Sequence, residues 1–375
     1  MYGNQNDSNA MDKDLNSTSH VFIGGHSLKE AGKFIYNYSP SRIFILVDEN
    51  TRKFCLPVLL YHLRFLESAF IIEIRQGEKE KKFETIQKII SELVLENADR
   101  KSLLINLGGG VLGDIGGFVA SIYKRGIGFI NVPTTLLAMV DASVGGKNGI
   151  NFLNIKNVIG TFTKPNGVFI YPLFLETLPE SEIRSGYGEI IKHVLLSDAN
   201  RWSEMMNFGI DIKAINELEG LISHSVKFKS EITDSDFKES GRRKELNFGH
   251  TIGHALESTS LKSGHELKHG EAISAGIVAE LYLSHYMAGF PEKILRSSSK
   301  FIRSIFHDIH LSGSNGEILI VMKSDKKNSL DKIGFSLLKA PGIPAGLFFP
   351  SEQLILDCLD FMYEEFDVER VNDND

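Results

Sequence analysis

Ser102-Leu103-Leu104-Ile105-Asn106-Leu107 is an apolar run that breaks into Gly108-Gly109-Gly110-Val111-Leu112-Gly113-Asp114. Six residues, largely apolar and bounded by glycine, read as a buried strand. The apolar residues beyond the glycines predict a helix. Gly108, Gly110 and Gly113 fit G-x-G-x-x-G, placed between strand and helix. Backbone N–H groups in such a turn, with the helix N-terminus, suit a pyrophosphate. A plain tight turn is the alternative. No clear acidic residue follows about twenty positions on, as the usual dinucleotide fingerprint requires.

Moving outward, Arg42 to Asp48, Ala69 to Ile74 and Gly128 to Pro133 read as further strands. Between them, Thr51 to Phe65 and Lys82 to Glu96 read as helices. In the latter, Phe83, Ile86, Ile89, Ile90 and Leu93 share one face. Strands alternating with helices imply βαβ units and a parallel, Rossmann-like sheet. By this count the glycine turn follows the third strand.

The texture changes near Leu178-Pro179-Glu180, and helical patterns dominate to about His310. Expected domains are residues 20–180, an α/β nucleotide-binding domain, and 181–375, a mainly helical domain. Residues 1–19 are polar, lack an apolar signal-peptide core and are expected to be disordered or a vector-derived extension. Glu317 to Met322 with Lys332 to Leu338 reads as a hairpin around a charged loop.

A chain of 375 residues with net charge -7 carries no basic footprint for nucleic acid. An anionic ligand must then be held by locally placed Lys and Arg. Cys55 and Cys358 are the two cysteines. That count argues against a disulfide scaffold or a cysteine zinc site and fits a reducing cytoplasm. No apolar run reaches the length of a membrane span.

His250 and His254, in Asn247-Phe248-Gly249-His250-Thr251-Ile252-Gly253-His254, lie four apart and share a helix face. Neutral imidazoles so placed suit a divalent metal; a helix with two polar histidines is the alternative. Glu189, in Gly188-Glu189-Ile190-Ile191-Lys192-His193, shares a face with Lys192 and His193. An intrahelical ion pair is the commoner use of that spacing. With His250 and His269, Glu189 would complete a two-His, one-carboxylate site with an open position. Lys147 after Gly145-Gly146, Lys156-Asn157 and Arg125 could bind phosphate or carboxylate, or be solvated surface charges.

The order of these motifs resembles the 3-dehydroquinate synthase family from about Asp48 to Lys327. The carrying segments are Gly108 to Asp114, Pro133 to Lys147, Lys156-Asn157, Phe174 to Pro179, Gly188 to Lys192, Leu246 to His254 and His269-Gly270-Glu271-Ala272. The resemblance implies an NAD-binding α/β domain followed by a helical metal-binding domain. It implies zinc, or cobalt, on Glu189, His250 and His269. NAD contacts would be Asp48, Asn50, Glu78, Lys81, Gly109, Gly110, Asp114, Thr134, Thr135, Lys147, Lys156, Phe174 and Thr177. Substrate-binding residues would be Arg125, Lys147, Asn157, Arg243, Asn247 and Lys326 or Lys327. Asp141, Lys192, Lys229 and His254 would act at the reacting end. Arg125 would be supplied across a homodimer interface.

The implied reaction converts 3-deoxy-D-arabino-heptulosonate 7-phosphate to 3-dehydroquinate and phosphate, with NAD recycled in each turnover. Other sugar phosphate cyclases, an amino-sugar variant and glycerol-dehydrogenase-like enzymes are the neighbouring alternatives. Three departures from the family pattern stand out. Tyr187-Gly188 precedes the metal glutamate where alanine is usual at the second position. Asn148 follows Lys147 where threonine is usual. His265 lies near His269 and competes with it as third ligand.

Overall fold

The computed structural model of the protein describes residues 20–153, 155–209, 214–264, 266–324 and 332–367. The chain divides into two compact units. The first comprises the residues up to Leu178 together with Leu218–Val226, and the second Pro179–Glu217 and the residues from Lys227 onward.

The first unit is built on a six-stranded sheet in the order β1-β8-β5-β4-β2-β3. Its strands are β1 (His20–Ile23), β2 (Ile43–Asp48), β3 (Phe70–Ile74), β4 (Leu103–Gly108), β5 (Gly128–Pro133) and β8 (Gly167–Ile170). Every pairing is parallel. Strand β4 is buried along its whole length, as an apolar strand covered on both faces should be. The glycine turn therefore follows the fourth strand in chain order, not the third. The count fell short because β1, four residues long, is too brief to declare itself by pattern.

Chain order runs from β2 outward to β3, then returns to place β4 on the other side of β2. The sheet reverses direction there, and open parallel sheets bind ligands outside the carboxyl ends of the strands at such a point. Asp48 ends β2 and Gly108 ends β4, so both flank it.

The helix read over Thr51 to Phe65 is in fact two, Glu49–Phe54 and Leu56–His62. Asp48 caps the first, its carboxylate accepting from Thr51 N at 2.8 Å, and Pro57 occupies the first turn of the second. In the helix Phe83–Leu95, Ile86, Ile89 and Leu93 enter the core. Phe83 does not: it is 46% exposed and packs edge-on against Phe152 of the ribbon formed by β6 (Lys147–Phe152) and β7 (Ile155–Phe162).

The second unit is helical. Its central helix, His269–Ala288, is buried on nearly every face, as a helix apolar all round must be. Glycines set its spacing to its neighbours. A Cβ on Gly276 would run into Gly249 O and come within 2.9 Å of Gly253 N on the helix His250–Ser263. A Cβ on Gly188, in the helix Glu180–Ser197, would stand 2.5 Å from Gly270 O. Glycine at 188, the first departure from the family pattern, thus permits a very close helix crossing.

The hairpin read over Glu317 to Leu338 is overturned. Asn315–Ser324 is a helix burying Ile318, Leu319 and Met322. The hairpin that does form joins β9 (Phe335–Ala340) to β10 (Ile343–Phe348), turning at Pro341-Gly342, where Gly342 has φ 74°. An apolar run of four to eight residues does not distinguish a buried strand from a helix.

Gly276→Ala is expected to lose about 1–3 kcal/mol of stability, because backbone rather than a yielding side chain meets the new methyl. Urea unfolding followed by circular dichroism measures this, and an unchanged midpoint would contradict the packing described.

Candidate active site

In the first unit, the helix Gly110–Ile122 starts with no capping side chain, since its N-cap is Gly109. Its first-turn N–H groups therefore present a positive end to any anion placed there. A Cβ on Gly113 would meet nothing within 4 Å, so packing does not demand glycine at that position. Asn106, Gly108, Gly109, Gly110, Gly113, Asn131 and Pro133 line a recess here. The uncapped helix start, with glycine before it, fits the phosphates of a dinucleotide.

Around the recess, Lys81 is buried and pairs with Asp114 Oδ2 at 2.7 Å and Glu78 Oε1 at 3.8 Å. Its Nζ also donates to Asn157 Oδ1. Burial opposes the Lys81 charge, but Asp114 and Glu78 outweigh it and hold the pKa above the ordinary lysine value. Burial raises the Asp114 carboxyl, and Lys81 offsets this only in part. Asn151 completes the network, donating to Glu78 at 2.8 Å and accepting from Asn157 N at 2.9 Å. Glu78, Lys81, Asp114 and Asn157 are thereby brought together from three separate segments.

The remaining residues of this half are placed as follows. Asn50 donates to Gln76. Thr134 N binds Gly108 O at 3.1 Å, and Thr135 Oγ1 accepts from Ala138 N at 3.2 Å. Asp141 sits in a π-helical turn, Ala138–Ala142, a distortion frequent at functional sites. Gly145 and Gly146, at φ 102° and 68°, form the left-handed bend that glycine alone takes readily, and they lead to the exposed Lys147. Asn148 is buried and donates to Thr163 O at 2.9 Å, a packing role for the second departure. Phe174 is buried, with Thr177 Oγ1 donating to its carbonyl at 3.3 Å. Arg125 and Lys156 are exposed, Arg125 on left-handed backbone at φ 68°.

In the second unit, Glu189 is fully buried. Its Oε1 lies 3.4 Å from His250 Nε2 and 3.3 Å from His269 Nε2, and its Oε2 lies 2.5 Å from Lys192 Nζ. Burial alone would raise its pKa, but Lys192, His269 and His193 hold it well below the ordinary value. Burial opposes the His269 charge, yet Glu189 and Glu257 outweigh it and push its pKa up to about 10. One oxygen or nitrogen from each of Glu189, His250 and His269 lies within 4.8 Å of the others. One carboxylate and two imidazoles converging this way fit a divalent cation.

The outer contacts aim these ligands. His250 Nδ1 lies 3.2 Å from Phe248 O, and donating there leaves Nε2 directed at Glu189. His269 Nδ1 lies 3.3 Å from Glu257 Oε1, which likewise leaves Nε2 inward. The sequence reading missed Glu257, although its place three residues after His254 was a usable signal. His254 stacks edge-on with His250, ring centroids 5.1 Å apart.

Lys229 and Arg243 are buried. Asp236, also missed, orders the turn before Arg243, accepting from Gly241 N at 2.7 Å, Ser240 N at 2.9 Å and Arg243 N at 3.0 Å. Burial would raise its carboxyl; these three N–H groups instead bring it down to about 2. Asn247 donates to Glu239 at 3.1 Å. His265, Lys326 and Lys327 lie outside the described residues.

Comparison with known proteins decides the kinship. Family models for the 3-dehydroquinate synthase N-terminal and C-terminal domains match residues 71–185 and 186–328. The chain belongs to the 3-dehydroquinate synthase family. It is 42% identical to the 3-dehydroquinate synthase of Parabacteroides distasonis over 94% of this chain and 100% of that one. To that of Halalkalibacterium halodurans it is 36% identical over 92% of this chain and 96% of the other.

Among solved structures, a 2-deoxy-scyllo-inosose synthase complexed with carbaglucose-6-phosphate, NAD+ and Co2+ superposes with TM-score 0.82. It is 24% identical and covers 90% of this chain and 95% of its own. The 2-epi-5-epi-valiolone synthase of Streptomyces hygroscopicus, with NAD+ and Zn2+ bound, gives TM-score 0.81 at 23% identity, covering 92% and 97%. These likenesses establish the α/β-plus-helical fold that this family shares with other cyclases.

His269 yields a pH prediction. Its pKa rises from the ordinary 6.5 to about 10 on folding, so the folded metal-free chain holds that proton more tightly. The resulting stability is complete below pH ~6.5 and lost as pH climbs through ~10. In chelator, the urea midpoint should fall between pH 7 and 10, and His269→Gln should flatten that fall. Equal slopes for the two chains would refute the pairing.

Proposed function

We propose that the chain is a 3-dehydroquinate synthase, a carbon–oxygen lyase that converts 3-deoxy-D-arabino-heptulosonate 7-phosphate to 3-dehydroquinate and phosphate. The observation that carries this reading is the buried Glu189 facing His250 and His269, with Lys192 on its second oxygen. It occurs in a chain matched almost end to end by a synthase at 42% identity. In outline, the substrate's C5 hydroxyl is oxidised, phosphate is eliminated, the ketone is reduced again, and ring opening with an aldol closure completes the carbocycle. When bound, NAD would supply the hydride acceptor and donor, and a divalent cation, Zn2+ or Co2+, on Glu189, His250 and His269 would supply Lewis-acid chemistry to substrate oxygens.

The chain's own residues bind, orient and neutralise. Gly109, Gly110 and the uncapped helix start receive the dinucleotide phosphates, while Asp48, Asn50, Glu78, Lys81, Asp114, Thr134, Thr135, Phe174 and Thr177 frame it. Glu189, His250 and His269 hold the metal. Lys147, Lys156, Asn157 and Arg125 supply positive charge and donors to phosphate groups, which a chain of net charge -7 must provide locally. Lys192, Lys229, Arg243, Asn247 and His254 fix the substrate's carboxylate and hydroxyls, with Asp141 at the reacting end. The phosphate being expelled can itself take the C6 proton, which reduces the need for a protein base.

The other cyclases act on substrates that lack the carboxylate. Lys229, Arg243, Asn247 and His254 together favour the carboxylate-bearing substrate. A glycerol-dehydrogenase-like enzyme would release its NADH. No helix among the described residues is long and apolar enough to cross a membrane. A reducing cytoplasm suits two buried, unpaired cysteines.

We also propose a homodimer, in which Arg125 of one copy reaches the phosphate end of the other. The β6–β7 ribbon supports it, with Phe152 at 45%, Leu153 at 77% and Ile155 at 47% exposure. Light scattering on the purified chain should give twice the chain mass, and Leu153→Asp should shift it toward one. A monomeric parent chain would exclude the dimer.

For the activity, purified protein with NAD and Zn2+ should release phosphate and form dehydroquinate with no net NADH. Stoichiometric NADH, or no turnover, would overturn the synthase assignment. His250→Ala should lose metal and activity together, whereas His254→Ala should keep its metal and lose rate; equal metal loss would reverse that division of roles.

A further inference from the structure

The helix that carries His250 begins at a glycine. Gly249, its N-cap, sits at φ 79° and has no side chain with which to cap the first turn. A buried helix end needs a partner for its N–H groups. That partner comes from another helix. Glu280, fully buried on His269–Ala288, accepts from Gly249 N at 2.8 Å through Oε2. The amides of Thr251 and Ile252 also act on this carboxyl. Glu280 lies four residues after Gly276, the glycine whose missing Cβ lets the two helices touch at Gly249 O. Both helices deliver an imidazole to Glu189: His250 is the first residue of one, His269 the first of the other.

We infer that Glu280 is a positioning residue, which pins the start of the His250 helix to the His269 helix and so fixes the separation of the two imidazole ligands. The inference rests on the metal reading above. The same device recurs one step earlier. Ser185 Oγ, on the Glu189 helix, accepts from Gly270 N at 3.1 Å at the start of the His269 helix. Each of the two histidine-bearing helices is thus held at its N-terminus by the helix that carries another ligand. The two histidine rings stand with centroids 5.6 Å apart. A first turn released from Glu280 would let His250 move relative to both partners.

The chemistry also says which substitute should serve. Burial pushes the Glu280 carboxyl up to about 8, against the pull of the Gly249, Ile252 and Thr251 N–H groups. A group held so close to its neutral form is matched by a carboxamide, whose oxygen still accepts from Gly249 N. An isosteric apolar side chain is not a match.

The test uses the full chain freed of metal, with Co2+ as probe, its binding and its visible absorption read together. Glu280→Leu should bind Co2+ about 10–100-fold more weakly, the usual cost of a lost outer contact, with an altered absorption spectrum. Glu280→Gln should recover the parental spectrum and most of the affinity. Ser299→Ala serves as control: it removes a buried hydroxyl from the helix Glu292–Ile305, where it donates to Leu295 O at 3.0 Å, and should leave the spectrum unchanged. Parental affinity in folded Glu280→Leu would overturn the inference while leaving the metal assignment standing. A parent chain that takes up no Co2+ would sink both. Should Glu280→Leu not fold, hydrogen exchange on the metal-free parent chain decides. The amides of Gly249, Thr251 and Ile252 should be protected, and exchange as fast as at an open helix end would overturn the inference.

Discussion

A carboxylate withdrawn completely from water is tolerated only if its charge is met on every side. Glu189 is in that position, and the helical unit is arranged around it. Lys192 and His193 come from its own helix, His250 and His269 from two others. Placing a carboxylate there forces three helices to converge on it, and convergence that close is possible only where side chains are missing. Gly188 against Gly270, and Gly276 against Gly249, are those places. The demands of charge and of packing are met by the same crossings.

The nucleotide half solves a different problem. For an anionic ligand, what the first unit offers is chiefly backbone. The free start of the helix Gly110–Ile122 and the glycines before it provide N–H groups. Charged side chains enter as a balanced set, Lys81 with Asp114 and Glu78, tied to the β6–β7 ribbon through Asn151 and Asn157. Lysines therefore take up carboxylates in both halves, Lys81 in one and Lys192 in the other.

Much of this could be read in advance, and for physical reasons. Strands β2, β4 and β5 are buried apolar runs ended by turns, a pattern with few competing explanations. Strands β1 and β8, at four residues each, carry too little pattern to be read singly. The run Ile318-Leu319-Ile320-Val321 is β-branched enough to look like strand, yet Ile318, Leu319 and Met322 pack on one helical face. That Glu189, His250 and His269 meet could be expected from residue type and order, whereas helical spacing alone pointed to His250 with His254. Glu280 was not legible. A lone glutamate amid Gly276-Ile277-Val278-Ala279 and Leu281 reads as a surface break in an apolar helix, and only packing shows the helix end it reaches. Asp236 was hidden for a related reason: its partners are backbone amides, which sequence does not display.

The pairing of β1 with β8 has a consequence for how the chain is made. Among the described residues, His20–Ile23 is an edge strand whose one sheet neighbour, Gly167–Ile170, is synthesised nearly 150 residues later. Until that segment emerges from the ribosome, β1 has nothing to join, and β5 lacks its outer partner. Pairings so distant in sequence are formed slowly, and a strand edge left waiting is an invitation to mispairing. The sheet that carries the glycine turn is therefore sealed late, by its two shortest strands.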